Sequence, residues 1–142
     1  MAETALPVEH LFDITAMVGT ASVVGAGPAG NRVIVPVTGG AFEGPKMRGV
    51  IVENSGGDWV LARADGTARL DVRITLKTDD GAIIFMSYSG LLIPKDGARL
   101  LRTAPYFETA DERYSWLNNV QGVATGESTP GAVTYQVYAL SV

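Results

Sequence analysis

Trp59-Val-Leu-Ala-Arg-Ala-Asp65-Gly66-Thr-Ala-Arg-Leu-Asp-Val-Arg-Ile-Thr-Leu-Lys-Thr78-Asp-Asp80-Gly81-Ala82 is the stretch that decides the fold class. It contains two Asp-Gly pairs, each between runs of apolar and β-branched residues. Asp-Gly favours a two-residue hairpin turn, because both central positions of that turn need positive φ. We therefore predict two successive hairpins, with strands at 58–64, 67–78 and 82–91.

The same pattern continues on both sides of this stretch. The chain has 17 glycines, and the β-branched runs between them predict further strands at 8–18, 31–38, 46–53, 97–104, 120–127 and 132–141. Thr109-Ala-Asp-Glu112 has capping-box spacing, so a short helix is predicted near 110–119. Gly25-Ala-Gly-Pro-Ala-Gly30 resembles a nucleotide-binding loop, but a strand rather than a helix follows it, and we interpret it as a flexible loop.

These elements predict an all-β fold with one domain over residues 1–142. Many short strands in a chain of 142 residues favour an antiparallel sheet that closes, because closure removes exposed strand edges. The expected architecture is a closed or nearly closed antiparallel β-barrel of about nine strands with one short helix near 110–119.

Composition narrows the classes of partner and cofactor. The net charge is −4 and the chain has no cysteine and one histidine, His10. A basic stripe for nucleic acid is absent, cysteine-based and multi-histidine metal sites are excluded, and no apolar run approaches the roughly 20 residues of a membrane helix. The segment 1–7 lacks the basic start and apolar stretch of a signal peptide. We expect a cytoplasmic protein that binds a small molecule, with no metal and no cofactor, and that binds neither nucleic acid nor a membrane.

The two predicted turns also decide which side chains share a face of the sheet. With Asp-Gly occupying each turn, Arg73 pairs with Tyr88 on one side and with Asp58 on the other. Because side chains alternate along a strand, one polar face gathers Asp58, Asp71, Arg73, Thr75, Lys77, Met86 and Tyr88. The opposite, apolar face carries Trp59, Leu61, Leu70, Val72, Ile74, Leu76, Ile83 and Phe85.

The polar face has the groups that acid–base chemistry needs. A buried carboxylate can take a proton, a phenol can donate one and an arginine can hold an oxyanion. We therefore predict Asp71 as the base, Tyr88 as the acid and Arg73 as the anion-holding group. The alternative is that Asp58, Asp71 and Arg73 form a cross-strand ion pair on the outer surface, worth roughly 0.2–1 kcal/mol.

Other side chains are candidates for the same site. His10 and Glu108 are alternate catalytic groups, although His10 could be merely structural or exposed and Glu108 could only support the helix start. Trp116 could instead plug the barrel, and Asn118 could cap the helix end. The candidate ligand-binding residues are Tyr106, Trp116, Asn118 and Met86.

From about residue 31 onward, an ordered set of short motifs is familiar. The motifs are Val37-Thr-Gly-Gly-Ala-Phe-Glu-Gly-Pro45, Arg48-Gly-Val50, Gly57-Asp-Trp59, Arg63-Ala-Asp-Gly66, Leu70-Asp-Val-Arg73, Thr78-Asp-Asp-Gly-Ala82, Arg102-Thr-Ala-Pro105, Phe107-Glu-Thr109 and Arg113-Tyr-Ser-Trp-Leu-Asn118. The set resembles domain-of-unknown-function family 3237, small bacterial and fungal β-barrel proteins also grouped as UPF0311. The resemblance implies a barrel, a homo-oligomer and, from fungal members, assistance of ring-forming steps without a cofactor.

Three hypotheses about function follow. The leading one is a metal- and cofactor-independent enzyme of the cyclase, isomerase or lyase type, acting on a small carbonyl or phenolic metabolite by general acid–base catalysis. The second is a barrel that binds a small hydrophobic ligand without changing it. The third is a structural protein that forms oligomers, which a lumen filled by side chains would favour.

Overall fold

The computed structural model describes residues 2 and 4–141. Within these residues, eleven strands and one 3₁₀ helix make up the regular structure. The strands are β1 (Val8–Val18), β2 (Ser22–Gly27), β3 (Gly30–Glu43), β4 (Arg48–Ile51), β5 (Gly56–Ala62), β6 (Ala68–Thr78), β7 (Ile83–Lys95), β8 (Ala98–Thr103), β9 (Tyr106–Glu108), β10 (Gly122–Thr129) and β11 (Ala132–Leu140). The 3₁₀ helix spans Glu112–Asn119 and lies between β9 and β10.

Eight of the strands pair in a ring that is nearly closed. The order is β1, β3, β5, β6, β7, β8, β10, β11, and the antiparallel pairing of β11 with β1 completes the circuit. Outside this ring, β4 bridges β3 and β6, β9 pairs with β7, and β2 pairs with β3. The predicted all-β, nearly closed antiparallel barrel with one short helix is therefore confirmed.

Two strands lie where none was predicted. One is the three-residue β9, and the other is β2, which pairs with the start of β3 so that Gly27 lies opposite Gly30. Gly25 and Gly30 have φ of 92° and 124°, a range in which glycine carries no steric penalty. The interpretation of residues 25–30 as a flexible loop is wrong, because these glycines allow a bent but regular hairpin.

The helix lies where it was expected, but its cap differs. Asp111 precedes the first turn, and its Oδ1 accepts a hydrogen bond from the Arg113 backbone N–H at 3.0 Å, so Asp111 rather than Thr109 is the N-cap. Thr109 instead donates its hydroxyl to the Ile83 carbonyl at 2.8 Å. In the part of the chain that is described, helices are too short or too polar to cross a membrane.

Both Asp-Gly hairpins have three-residue turns rather than two-residue turns. Arg63 N–H donates to the Thr67 carbonyl at 2.9 Å, and Thr78 N–H donates to the Ala82 carbonyl at 2.9 Å. Gly66 and Gly81 occupy the third turn position with φ of 89° and 92°. A type I turn followed by a left-handed residue is the usual three-residue hairpin connection.

The extra turn residue shifts both registers by one position. Arg73 pairs with Ser87 and with Gly57, while Val72 pairs with Tyr88 and with Asp58. Because a one-residue shift turns every side chain of a strand to the other face, the faces predicted for β5 and β7 are reversed. The predicted common face of Asp71, Arg73 and Tyr88 is therefore wrong.

The helix closes one end of the ring. Phe12 is fully buried there, with its ring centroid 5.3 Å from that of Phe42 and 5.9 Å from that of Phe107. Leu117 of the helix is also fully buried. The Arg113 guanidinium holds the helix to the β6–β7 turn by donating to the Asp80 carbonyl at 3.0 Å. The end formed by the β5–β6, β7–β8 and β10–β11 turns lies opposite.

Tyr114 anchors the helix to the β6–β7 turn, and this role can be tested. Its hydroxyl donates to the Asp80 carboxylate, with both oxygens at 3.0 Å, and the Thr78 and Tyr114 hydroxyls hold the pKa of Asp80 below its usual value. We expect Tyr114→Phe to lower the melting temperature by about 4 °C, because the ring stays buried while the hydrogen bond is lost. Tyr106→Phe is the control, since Tyr106 is 50% exposed. Equal melting temperatures for Tyr114→Phe and the unchanged protein would contradict this role.

Candidate active site

The interior of the ring holds a cavity of about 460 Å³ at the end opposite the helix. This volume lies within the range of small-molecule sites. The walls are mainly aliphatic and the cavity is lined by Val18, Ala21, Val33, Val35, Val37, Asp58, Val60, Ala62, Arg63, Gly66, Thr67, Ala68, Leu70, Val72, Tyr88, Leu92, Arg99, Leu101, Ser128, Thr129, Pro130, Gly131, Val133 and Tyr135. The lumen is therefore not filled by side chains.

Asp58 brings a carboxyl group into this apolar space. It lies on β5 opposite Val72, whose side chain is buried, so the alternation of β5 and β6 directs both inward. The pairing of β5 with β6 skips Trp59 and Val60. At this gap Asp58 Oδ1 accepts a hydrogen bond from the Asp71 backbone N–H at 2.9 Å. The side chain of Asp58 thus takes the place of a backbone acceptor.

The surroundings of Asp58 change its acidity. Burial raises the pKa of Asp58 to about 6, the Asp71 N–H lowers it in part, and the Asp71 charge raises it further. Burial disfavours the charged form of a carboxyl group because the apolar interior cannot replace its hydration. Near neutral pH this carboxyl is therefore able to exchange a proton.

Two buried phenols share the cavity with Asp58. Tyr88 on β7 and Tyr135 on β11 are 5% and 4% exposed, and their rings meet edge to face with centroids 5.2 Å apart. Burial raises the pKa of both tyrosines; for Tyr88, the neighbouring Tyr135 and the charge of Asp58 raise it further. Both hydroxyls therefore remain protonated at neutral pH and can serve as donors.

Asp71 and Arg73, predicted as base and anion-holding group, lie on the outer face of β6. Arg73 Nη2 is 3.8 Å from Asp71 Oδ2, and the two side chains are 55% and 48% exposed. The Arg73 guanidinium also lies 5.5 Å from the centre of the Trp59 ring. Of the predicted catalytic trio only Tyr88 lines the cavity. The alternative of a surface ion pair describes Asp71 and Arg73, but not Asp58.

The alternate catalytic groups also lie away from the cavity. His10 Nε2 is 2.8 Å from Asp13 Oδ1 on the outer face of β1, and its ring is tilted against that of Tyr138. Glu108 is exposed on β9 opposite Phe85. The structure therefore brings neither group to the cavity that Asp58 and the two phenols share.

The predicted ligand-binding residues belong to the closed end of the ring. Met86 is 1% exposed and pairs with Phe107, so it is part of the core. Tyr106 is exposed, and Trp116 lies beneath the Lys46 ammonium at 5.5 Å. The side-chain amide of Asn118 bonds the Thr109 backbone through both its oxygen, at 2.8 Å, and its nitrogen, at 3.0 Å, which is a structural role. These four residues do not line the cavity.

Sequence reasoning placed Asp58 on the polar face but assigned it no catalytic role, and it did not select Tyr135, Arg63 or Arg99. All four line the cavity. A three-residue turn at residues 64–66 would have been the signal for Asp58, because it places the side chain of Asp58 on the inner face instead of the outer face. Within residues 2 and 4–141, groups of three or more His, Asp or Glu side chains placed to hold a metal ion are absent.

The sequence model of a family described as "Protein of unknown function (DUF3237)" matches residues 6–140. The chain belongs to the DUF3237 family. This confirms the resemblance identified from the sequence motifs.

The chain is also similar to individual proteins and to solved structures. It is 28% identical to a UPF0311 protein of Clostridium acetobutylicum, over 94% of this chain and 93% of the relative. It is 33% identical to the hydroalkoxylation enzyme phnH of Penicillium herquei, over 82% of this chain and 72% of that enzyme. The crystal structure of a β-barrel-like protein from Acinetobacter baumannii superposes with a TM-score of 0.91 at 29% identity, covering 99% of both chains. One of these relatives is thus an enzyme.

Proposed function

We propose that the protein is a general acid–base enzyme that acts on a small, mainly apolar organic molecule held inside the ring of strands. Asp58 is the base, and Tyr88 and Tyr135 are the proton donors. The observation that carries this proposal is a half-buried carboxyl group that shares a mainly aliphatic cavity with two buried phenols.

The acidities of these groups suit proton transfer at neutral pH. A base works best when its pKa lies near the working pH, and the pKa of Asp58 is raised to about 6 by burial. The phenols, whose pKa values are raised, can donate a hydrogen bond or a proton to an oxygen or carbon that gains electron density. This pairing favours cyclisation, isomerisation or lyase chemistry of a carbonyl or phenolic compound, with acid and base both supplied by the protein.

The relative from Penicillium herquei supports a reaction of this class. Hydroalkoxylation adds an alcohol O–H across a C=C bond: the O–H bond and one C=C π bond break, and a C–O and a C–H bond form. The base takes the hydroxyl proton, and a donor returns one proton to carbon. The product has the same atoms as the substrate, so the protein gains and loses no proton overall.

Phenols that carry an ortho 3-methylbut-2-enyl group provide a direct assay, because ring closure gives a cyclic ether of unchanged mass that NMR distinguishes. We expect kcat/KM to rise about tenfold per pH unit below pH 6 and to level off above it, because only the Asp58 carboxylate accepts a proton. Circular dichroism at each pH controls for unfolding. A profile that stays flat from pH 5 to 7.5 in folded protein would remove Asp58 from the role of base.

Ligand carriage is a second candidate, and the aliphatic walls of the cavity favour it. A carrier returns its ligand unchanged, so mass spectrometry and NMR of the released compound separate the two functions. A carrier also gains nothing from a carboxyl group inside its cavity, so the Asp58→Asn variant would then bind an uncharged ligand at least as tightly as the unchanged protein.

A further inference from the structure

Two arginines stand at the open end of the cavity. Arg63 lies in the β5–β6 turn, and Arg99 lies near the start of β8, two residues before the buried Leu101. Residues two apart on a strand share a face, so Arg99 occupies an inward-facing position. Both arginines line the cavity.

Neither arginine forms a salt bridge within the described residues. Arg48, Arg73 and Arg113 each have a carboxylate oxygen within 4.0 Å, whereas no salt bridge involves Arg63 or Arg99 in the part of the chain that is described. Among the described side chains that line the cavity, Asp58 is the one acid. The charge of Asp65, in the β5–β6 turn, interacts with that of Arg63 without forming a salt bridge. The charged side chains that line the mouth are therefore both positive, and the one that lines the interior is acidic.

The positions along the strands separate these charges. Arg63 follows Asp58 by five residues, just beyond the end of β5 at Ala62, which corresponds to about 16 Å of extended chain. Between them Val60, Val72 and Leu92 form apolar walls. A molecule that spans this distance meets positive charge at one end and the catalytic carboxyl at the other.

We propose that the substrate is an apolar organic anion whose charged group, a carboxylate, sulfate or phosphate, remains at the mouth with Arg63 and Arg99. This inference rests on the proposed function, since Asp58 defines the reacting end. The interior would repel the anion, while the guanidinium groups provide charge-assisted hydrogen bonds. The neutral body of the molecule enters the aliphatic cavity and leaves water. Binding therefore has a fixed orientation, with the reacting atoms toward Asp58.

Two dyes that differ in one charged group test this arrangement. The probes are 1-anilinonaphthalene-8-sulfonate and its uncharged counterpart N-phenyl-1-naphthylamine, whose fluorescence rises on entering an apolar site. At pH 7.5 we expect the sulfonate to bind more tightly. Arg63→Gln combined with Arg99→Gln should weaken sulfonate binding by roughly 10-fold, because hydrogen bonds to a charged group are lost, and should leave the neutral dye unchanged.

Matched variants distinguish the effect of the two arginines at the mouth from a general effect of the protein's charge. Arg69→Gln removes one charge from an exposed position on the outer face of β6, and we expect it to leave the affinities for both dyes unchanged. Val60→Trp fills the cavity and should abolish binding of both dyes; Ala62→Phe, nearer the mouth, replaces it if the first variant does not fold.

Equal affinity of the two dyes, or an equal loss of sulfonate affinity in Arg69→Gln, would overturn the proposed anion site. Failure of Val60→Trp and Ala62→Phe to displace the dyes would overturn it too, as would the absence of binding by either dye. The proposed catalytic function fails by a different readout, an unchanged turnover in Asp58→Asn. Turnover of an alkenylphenol that also carries a carboxylate group, if it depends on Asp58 but not on the two arginines, would reject the anion site alone.

Discussion

Asp58→Asn is expected to reduce kcat for the alkenylphenols by roughly 10²–10⁴-fold, the usual contribution of a positioned general base. Asparagine has nearly the same shape and keeps an oxygen that can accept the Asp71 N–H, a contact of 2.9 Å in the structure. It cannot take a proton. The loss should therefore lie mainly in kcat, with a small change in KM, and steady-state kinetics at pH 7.5 measure both.

Asp71→Asn is the matched comparison for this experiment. Asp71 is adjacent to Asp58 in space, but its side chain is 48% exposed on the outer face and paired with Arg73. We expect Asp71→Asn to retain turnover. The opposite pattern, with Asp58→Asn active and Asp71→Asn inactive, would restore the assignment made from the sequence and reject the site described from the structure.

The sequence grouped the side chains of β6 correctly, left open which group faces the lumen, and reversed the two neighbouring strands. On β6 the alternation predicts that Leu70, Val72, Ile74 and Leu76 share one face, and all four are buried. The orientation of β5 and β7 depends on turn length. Asp65-Gly66 fits a two-residue turn, and Ala64-Asp65-Gly66 fits a three-residue turn with glycine in the left-handed position. Residue preferences favour both turn lengths. A difference of one residue therefore grouped Asp58 and Tyr88 with the outward-facing side chains of β6.

The remaining members of the site depend on contacts between distant parts of the chain. Tyr135 meets Tyr88 because β11 pairs with β1 and β10 and so closes the ring. Arg99 reaches the cavity because β8 pairs with β7 and β10. The local alternation of residues along each strand does not predict these long-range pairings. The motifs that carry the family resemblance include Gly57-Asp-Trp59 and Arg63-Ala-Asp-Gly66, yet the resemblance assigns no role to Asp58 or Arg63.

The carboxyl group of Asp58 should also make the stability of the protein depend on pH. The pKa of Asp58 is about 6 in the folded protein against its ordinary value of 3.8, so the folded state binds more protons between these values. Stability from this group is fully present below about pH 4 and is lost as the pH rises through 6. A difference of about 2 pH units corresponds to about 3 kcal/mol.

Asp58→Asn removes this dependence while leaving the other carboxyl groups in place. Hydrogen bonds lower the pKa values of Asp65, Asp80 and Asp111, and these groups destabilise both proteins equally as the pH falls. The difference in the free energy of unfolding between variant and unchanged protein therefore isolates Asp58. We expect urea denaturation to show the variant gaining about 3 kcal/mol relative to the unchanged protein between pH 4 and 7.5.

A difference that stays constant over this pH range would mean that water reaches the carboxyl of Asp58 and that its acidity is ordinary. Asp58 would then lack the raised pKa that makes it a suitable base at neutral pH. A gain in stability together with a loss of turnover would instead identify Asp58 as a group that destabilises the fold and is required for the reaction. Catalytic groups commonly have this combination, because the desolvation that tunes their pKa also opposes folding.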